Sequence, residues 1–145
     1  AGNIFGGKLS DRIGPVPALT VIFAGLSVVL LGLGLVLTSP VATVAVVAVW
    51  GGFAFANVPP LQAYVVQIAR EVAPEAVDVA SGLNIGAFNL GIALGAWIGG
   101  LIVEGMGLAA APYLGALIVA IGIALTRLSG RLDNAATPRR AVAAE

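Results

Sequence analysis

The chain has 145 residues, of which 59% are hydrophobic and only 10% charged, and its seven basic residues balance seven acidic ones. Soluble domains run at about 45–50% apolar and about 25% charged, so these proportions, with a mean hydropathy of +1.06, exclude an ordinary water-soluble domain and indicate a membrane protein. Zero net charge gives no electrostatic case for a nucleic-acid partner. The absence of Cys and His removes disulfides, thiolate chemistry, imidazole relays and Cys- or His-based metal sites. Neither a metal nor a cofactor is expected. With no nucleophile–base pair in view, the chain does not read as an enzyme.

In chain order, residues 1–7 read as the last turns of a truncated transmembrane helix. No basic stretch precedes them, and Gly6-Gly7 followed by charge interrupts the apolar run, so they do not form a signal peptide. Residues 8–16 read as a polar surface loop. Residues 17–128 contain four windows of about twenty apolar residues, too long for barrel strands and without period-two alternation. They predict an all-α membrane protein with spans at about 17–38, 41–68, 80–103 and 109–128. Residues 129–145, rich in Ala and Arg with Pro138, are expected to form a disordered tail. Four crossings put Lys8, Arg12, Arg70, Arg127, Arg131, Arg139 and Arg140, all the basic residues, on one face. By the positive-inside rule that face, and with it the C-terminus, is cytoplasmic.

The first and fourth spans are aliphatic with scattered Gly and read as lipid-facing or peripheral. In the second span Trp50, Phe53, Asn57 and Tyr64 recur at helical spacing and share one face. Such a stripe suits either a cavity for amphipathic molecules or packing against a neighbouring helix. Pro59-Pro60 removes two backbone donors within the same run, with Gln62 in reach of the freed carbonyls. This predicts either a broken helix lining internal space or an interfacial helix beginning near Asn57 and closed by Arg70. In the third span Gly91, Gly95 and Gly99 form a small-residue face that a second helix can approach closely, and Gly82 and Gly86 repeat the spacing. Asn84 fits helix packing there, and Asn89 faces either a partner helix or a polar cavity. Pro74 suits the first turn of this helix, where Glu75 and Asp78 complement its dipole. No span carries an Asp, Glu, Lys or Arg at its middle, so an ion-coupling group of the usual kind lies outside the chain.

The loop Gly7-Lys8-Leu9-Ser10-Asp11-Arg12-Ile13-Gly14 resembles the signature loop of the major facilitator superfamily, Gly-x-Leu-Ala-Asp-Arg-x-Gly-Arg-Lys. Gly7, Leu9, Asp11, Arg12 and Gly14 match, while Pro15-Val16 replaces the usual basic pair. The segments Pro59-Pro60-Leu61-Gln62 and Ala80 to Gly91 look like spans ten and eleven of bacterial drug and sugar efflux members of the arabinose-efflux-permease type. The resemblance implies that the four spans correspond to spans nine to twelve of a twelve-helix fold, the C-terminal fragment of a transporter. Spans three to six are the pseudo-repeat alternative, against which the lack of a basic residue inside the second span counts. It further implies a secondary active, proton-coupled exporter of sugars or drug-like molecules in the bacterial inner membrane. Span ten would line the substrate cavity through Trp50, Phe53, Asn57 and Asn89 from its neighbour, and span eleven would meet the missing N-terminal half through Gly91, Gly95 and Gly99. Gly7, Asp11, Arg12 and Gly14 would form a gate loop, with Asp11 latching the outward-open state and Arg70 its candidate partner. The rival expectations are a complete four-helix multidrug carrier acting as a dimer, which needs a membrane carboxylate not found here, and a non-transporting membrane scaffold or assembly subunit.

Overall fold

The computed structural model describes residues 2–143, with side chains in the last helix described through Asp133 and at Ala135. Arg139 and Arg140, two of the basic residues used to orient the chain, therefore lie outside the described side chains. The elements are α1 (Gly2–Ile13), α2 (Pro15–Val36), α3 (Pro40–Ala56), α4 (Val58–Val72), a single 3-10 turn (Pro74–Ala76), α5 (Val77–Met106) and α6 (Ala110–Ala143). Among the described residues there is no strand. Four helical stretches are long and apolar enough to cross a membrane: Pro15–Val36, Pro40–Val72, Pro74–Met106 and Ala110–Asp133. They coincide with the four spans expected from the sequence.

The turns are tighter than the sequence suggested. α1 continues through Lys8, Asp11 and Arg12, so the expected loop over residues 8–16 shrinks to the single residue Gly14. Gly14 has φ 87° and ψ 161°, a region open essentially to glycine. Its N–H closes the last turn of α1 on the Ser10 carbonyl at 2.8 Å, and its carbonyl opens α2 by accepting from Ala18 at 3.1 Å. Pro15, which has no N–H to leave unpaired, takes the first position of α2. At the other end of α2 the Thr43 hydroxyl reaches across the Ser39-Pro40 turn to the Val36 carbonyl at 2.9 Å, satisfying one of the helix's orphan acceptors. Gly107, at φ 84° and ψ 163°, breaks α5 from α6 by the same device as Gly14.

Small residues set the packing. α2 buries Ala18, Leu19, Ile22, Leu26 and Leu30 and touches α1, α3, α4 and α6. The expected peripheral first span is thus the central helix of this bundle. Gly25 lies directly under the Phe53 ring, and Gly34 under Tyr113, so flat aromatic faces seat where any side chain would collide. Leu26, Leu30 and Ala116 form the core, with Phe23, Phe53 and Val119 against it. α1 meets α3 backbone to backbone: a Cβ on Gly2 would strike the Gly52 carbonyl, and one on Gly6 the Ala56 carbonyl. Ala56 is the residue whose carbonyl would have bonded the N–H that Pro60 lacks. The carbonyl freed by that proline therefore faces the Gly6 Cα, a C–H···O arrangement found at close helix crossings.

The first residues of α2, the ends of α1 and α4, the 3-10 turn and the latter part of α6 gather at one end of the bundle. Lys8, Arg12, Arg70, Arg127 and Arg131 all lie there. The expected disordered tail from residue 129 does not begin at that point. α6 runs on, and Ser129 and Asp133 are held by Tyr64 of α4.

Candidate functional site

Two grooves meet at Trp50. Two residues of its stripe face a cleft of about 320 Å³ between α2, α3, α5 and α6, walled by Trp50 of α3, Asn57 between α3 and α4, Gly95 and Gly99 of α5, and Gly115 and Ile118 of α6. The second, about 380 Å³, continues from Trp50 toward the end opposite the basic residues, past Thr43 and Pro112. The walls are almost wholly apolar. Asn57 is the one amide lining the first cleft, and its side chain makes no hydrogen bond among the described residues. Apolar walls with a single well-placed polar group suit an amphipathic ligand: area supplies binding and the amide supplies orientation. No ionisable side chain lines either cleft, and among the described residues no group of three His, Cys, Asp or Glu gathers anywhere to hold a metal.

The residues singled out from the sequence divide. Trp50 and Asn57 come together with Gly95 and Gly99, so two of the four expected cavity residues and two of the three expected interface glycines share one space. Phe53 does not join them, because its ring turns to Gly25 and the core. Asn89 is exposed on α5 and donates to the Ile85 carbonyl of its own helix at 2.9 Å. Gly91 is exposed outside the cleft. A Cβ at Gly91, Gly95 or Gly99 would meet nothing within 4 Å, and α5 buries no residue at all. Among the gate residues, Gly7 faces Pro59, and Asp11, Arg12 and Arg70 are exposed at the charged end. No ion pair joins Asp11 to Arg70 among the described residues.

Two polar clusters hold the site's walls. Gln62 donates to the Ser81 hydroxyl and accepts from Asn84 at 2.7 Å, tying α4 to α5. This is the packing role expected of Asn84. Gln62 reaches forward to α5, however, not back to the carbonyls freed by Pro59-Pro60. The Tyr64 hydroxyl meets Ser129 at 2.9 Å and donates to Asp133, tying α4 to α6. The Tyr64 contact was hidden from the sequence because its partners fell in the segment expected to be disordered. The Gly2/Gly6 and Gly52/Ala56 pairs were missed too, although each shows the same four-residue spacing that marked α5.

The helix content, the four spans and the loop at Gly14 agree with a match to the Major Facilitator Superfamily model over residues 1–144. The chain belongs to the major facilitator superfamily. This major facilitator chain is 44% identical over 133 residues to an uncharacterized MFS-type transporter, YtbD, of Bacillus subtilis, covering 92% of the chain and 33% of that protein. It is 38% identical over 133 residues to the inner membrane transport protein YdhP of Escherichia coli K12, covering 90% of the chain and 32% of YdhP. A third relative, named "Probable sugar efflux transporter", of Mannheimia succiniciproducens, is 36% identical over 112 residues, which are 77% of the chain and 27% of that protein. The chain spans about a third of the length of the curated relatives it matches. No solved structure matches it.

Proposed function

We propose that this major facilitator chain supplies spans nine to twelve of a secondary active exporter, moving sugars or drug-like molecules outward by alternating access with proton coupling. The observation carrying the proposal is the cleft at Trp50 and Asn57, walled on its far side by a helix, α5, that buries nothing within the chain. Lipid alone could cover a helix so apolar and so bare, but its small-residue face suits close approach of a protein surface, and in this reading the N-terminal half of the transporter supplies it. In this reading Trp50 and Asn57 touch substrate, while Gly91, Gly95 and Gly99 keep the facing surface of α5 thin enough for close approach and sliding. The charged end faces the cytoplasm of a bacterial inner membrane, and Asp11, Arg12 and Arg70, exposed and unpaired with one another, are available to contacts made when the gate closes. In this reading the proton-carrying group lies on a part of the transporter outside these four spans, and the cleft itself is lined by no ionisable residue.

Efflux measured in everted vesicles from cells making the full transporter tests the cleft. Trp50→Ala and Asn57→Ala should each change the range of exported compounds, with transport of some falling by about tenfold and others persisting. An unchanged range in both variants would remove the cleft from the substrate path.

A further inference from the structure

We propose that the cleft at the charged end of the bundle holds a phospholipid headgroup, with the phosphodiester between Arg127 and Arg131. This cleft is separate from the Trp50 groove and measures about 480 Å³, within the usual range for a small-molecule site. Its walls are the first residues of α2, Tyr64, Ile68 and Glu71 of α4, and Arg127, Arg131 and Asp133 of α6.

Three features define the ligand. First, Arg127 and Arg131 stand one turn apart on a single face of α6, both line the cleft, and both are exposed. Two guanidinium groups at that spacing offer a fork of donors to phosphate oxygens. Second, the two carboxylates in the wall already accept hydrogen bonds, Asp133 from Tyr64 and Glu71 from Gln67 at 3.3 Å. Their charge disfavours a phosphomonoester with two negative charges and favours a singly charged phosphodiester. They also favour a headgroup that ends in hydroxyl donors, as glycerol does. Third, Pro15, Val16 and Ile68 give the cleft an apolar side where candidate spans begin at Pro15 and end at Val72 and Asp133. That is the depth at which acyl chains give way to headgroups, and basic pockets between spans there suit anionic lipid. The walls are fixed: a Cβ on Gly130 would come within 2.8 Å of the Val16 Cγ1, and Tyr64 bridges α4 to α6.

The test is lipid retention by the membrane protein carrying this chain, reconstituted in nanodiscs of equal phosphatidylglycerol and phosphatidylcholine, extracted in detergent and weighed by native mass spectrometry. The wild type should retain phosphatidylglycerol over phosphatidylcholine by tenfold or more, because each arginine near a charged membrane surface contributes about fivefold. Arg127→Gln and Arg131→Gln should each lose about fivefold of that preference. Lys8→Gln, a basic residue at the same end outside the cleft, should lose clearly less than either, since it lacks the direct phosphate contact. The paired change to lysine should keep part of the preference through charge alone. Equal retention of the two lipids by the wild type would overturn the proposal, and that comparison needs no variant to fold. So would an unchanged preference in the double glutamine variant, or displacement of the lipid by millimolar glycerophosphate, which would make the site one for a soluble anion.

Discussion

At the residue scale, glycine decides most of the geometry, for reasons that differ from one position to the next. Gly14 is required for its backbone: the turn from α1 to α2 occupies one residue at φ 87°. Gly14→Ala should cost about 1–3 kcal/mol, read as a lower unfolding midpoint in detergent. Gly6 is required for proximity, since any Cβ meets the Ala56 carbonyl. Gly6→Leu should separate α1 from α3 and lower the midpoint strongly, whereas Gly86→Leu, in open space on α5, should leave it unchanged. Equal effects from the two would contradict the assigned packing. The sequence displayed the glycine spacing on α5 plainly, because five of its glycines fall in two runs at four-residue spacing. It concealed the pairing of Gly2 and Gly6 with Gly52 and Ala56, because a four-residue spacing names a surface and not its partner. Phe53 shows the same limit. Its spacing puts it on the stripe with Trp50, but the void above Gly25 turns the ring toward the core.

At the element scale, α4 is the strut that positions everything else. Among the described residues it is the one helix whose side chains form hydrogen bonds to two neighbours, through Gln62 to α5 and through Tyr64 to α6. Membrane hydrogen bonds of this kind contribute about 0.6–1.7 kcal/mol each. Gln62→Ala, which strands both Ser81 and Asn84, should therefore destabilise more than Asn84→Ala, by roughly a factor of two. Thermal unfolding of the two variants in the same detergent checks the order, and the reverse order would contradict a shared hub at Gln62. Span number and approximate position were legible in the sequence, because apolar length is a strong signal in a bilayer solvent. The length of α6 was not. Composition after Leu128 suggests disorder, and nothing local reveals that Tyr64, sixty-five residues earlier, binds Ser129.

At the scale of the whole molecule, the chain is a lopsided bundle. α2 is buried among its neighbours, α5 is bare, and the apolar clefts open between them. The sorting of Lys8, Arg12, Arg70, Arg127 and Arg131 to one end carries the proposed orientation. A lysine at the end opposite the basic residues, as in Ser39→Lys, should weaken insertion more than a lysine at the basic end, as in Asp11→Lys, although the latter shifts the charge by two. The central claim is that α5 and the cleft beside it form the moving, substrate-facing surface of an exporter. The most direct measurement is substrate efflux by the full transporter carrying Gly95→Leu, with the amount of inserted protein measured in the same membranes. A Cβ at that position meets nothing within 4 Å, so a leucine has room to extend into the cleft, and insertion and stability should persist. The account predicts normal insertion with transport reduced at least tenfold. Normal insertion with normal efflux would contradict it.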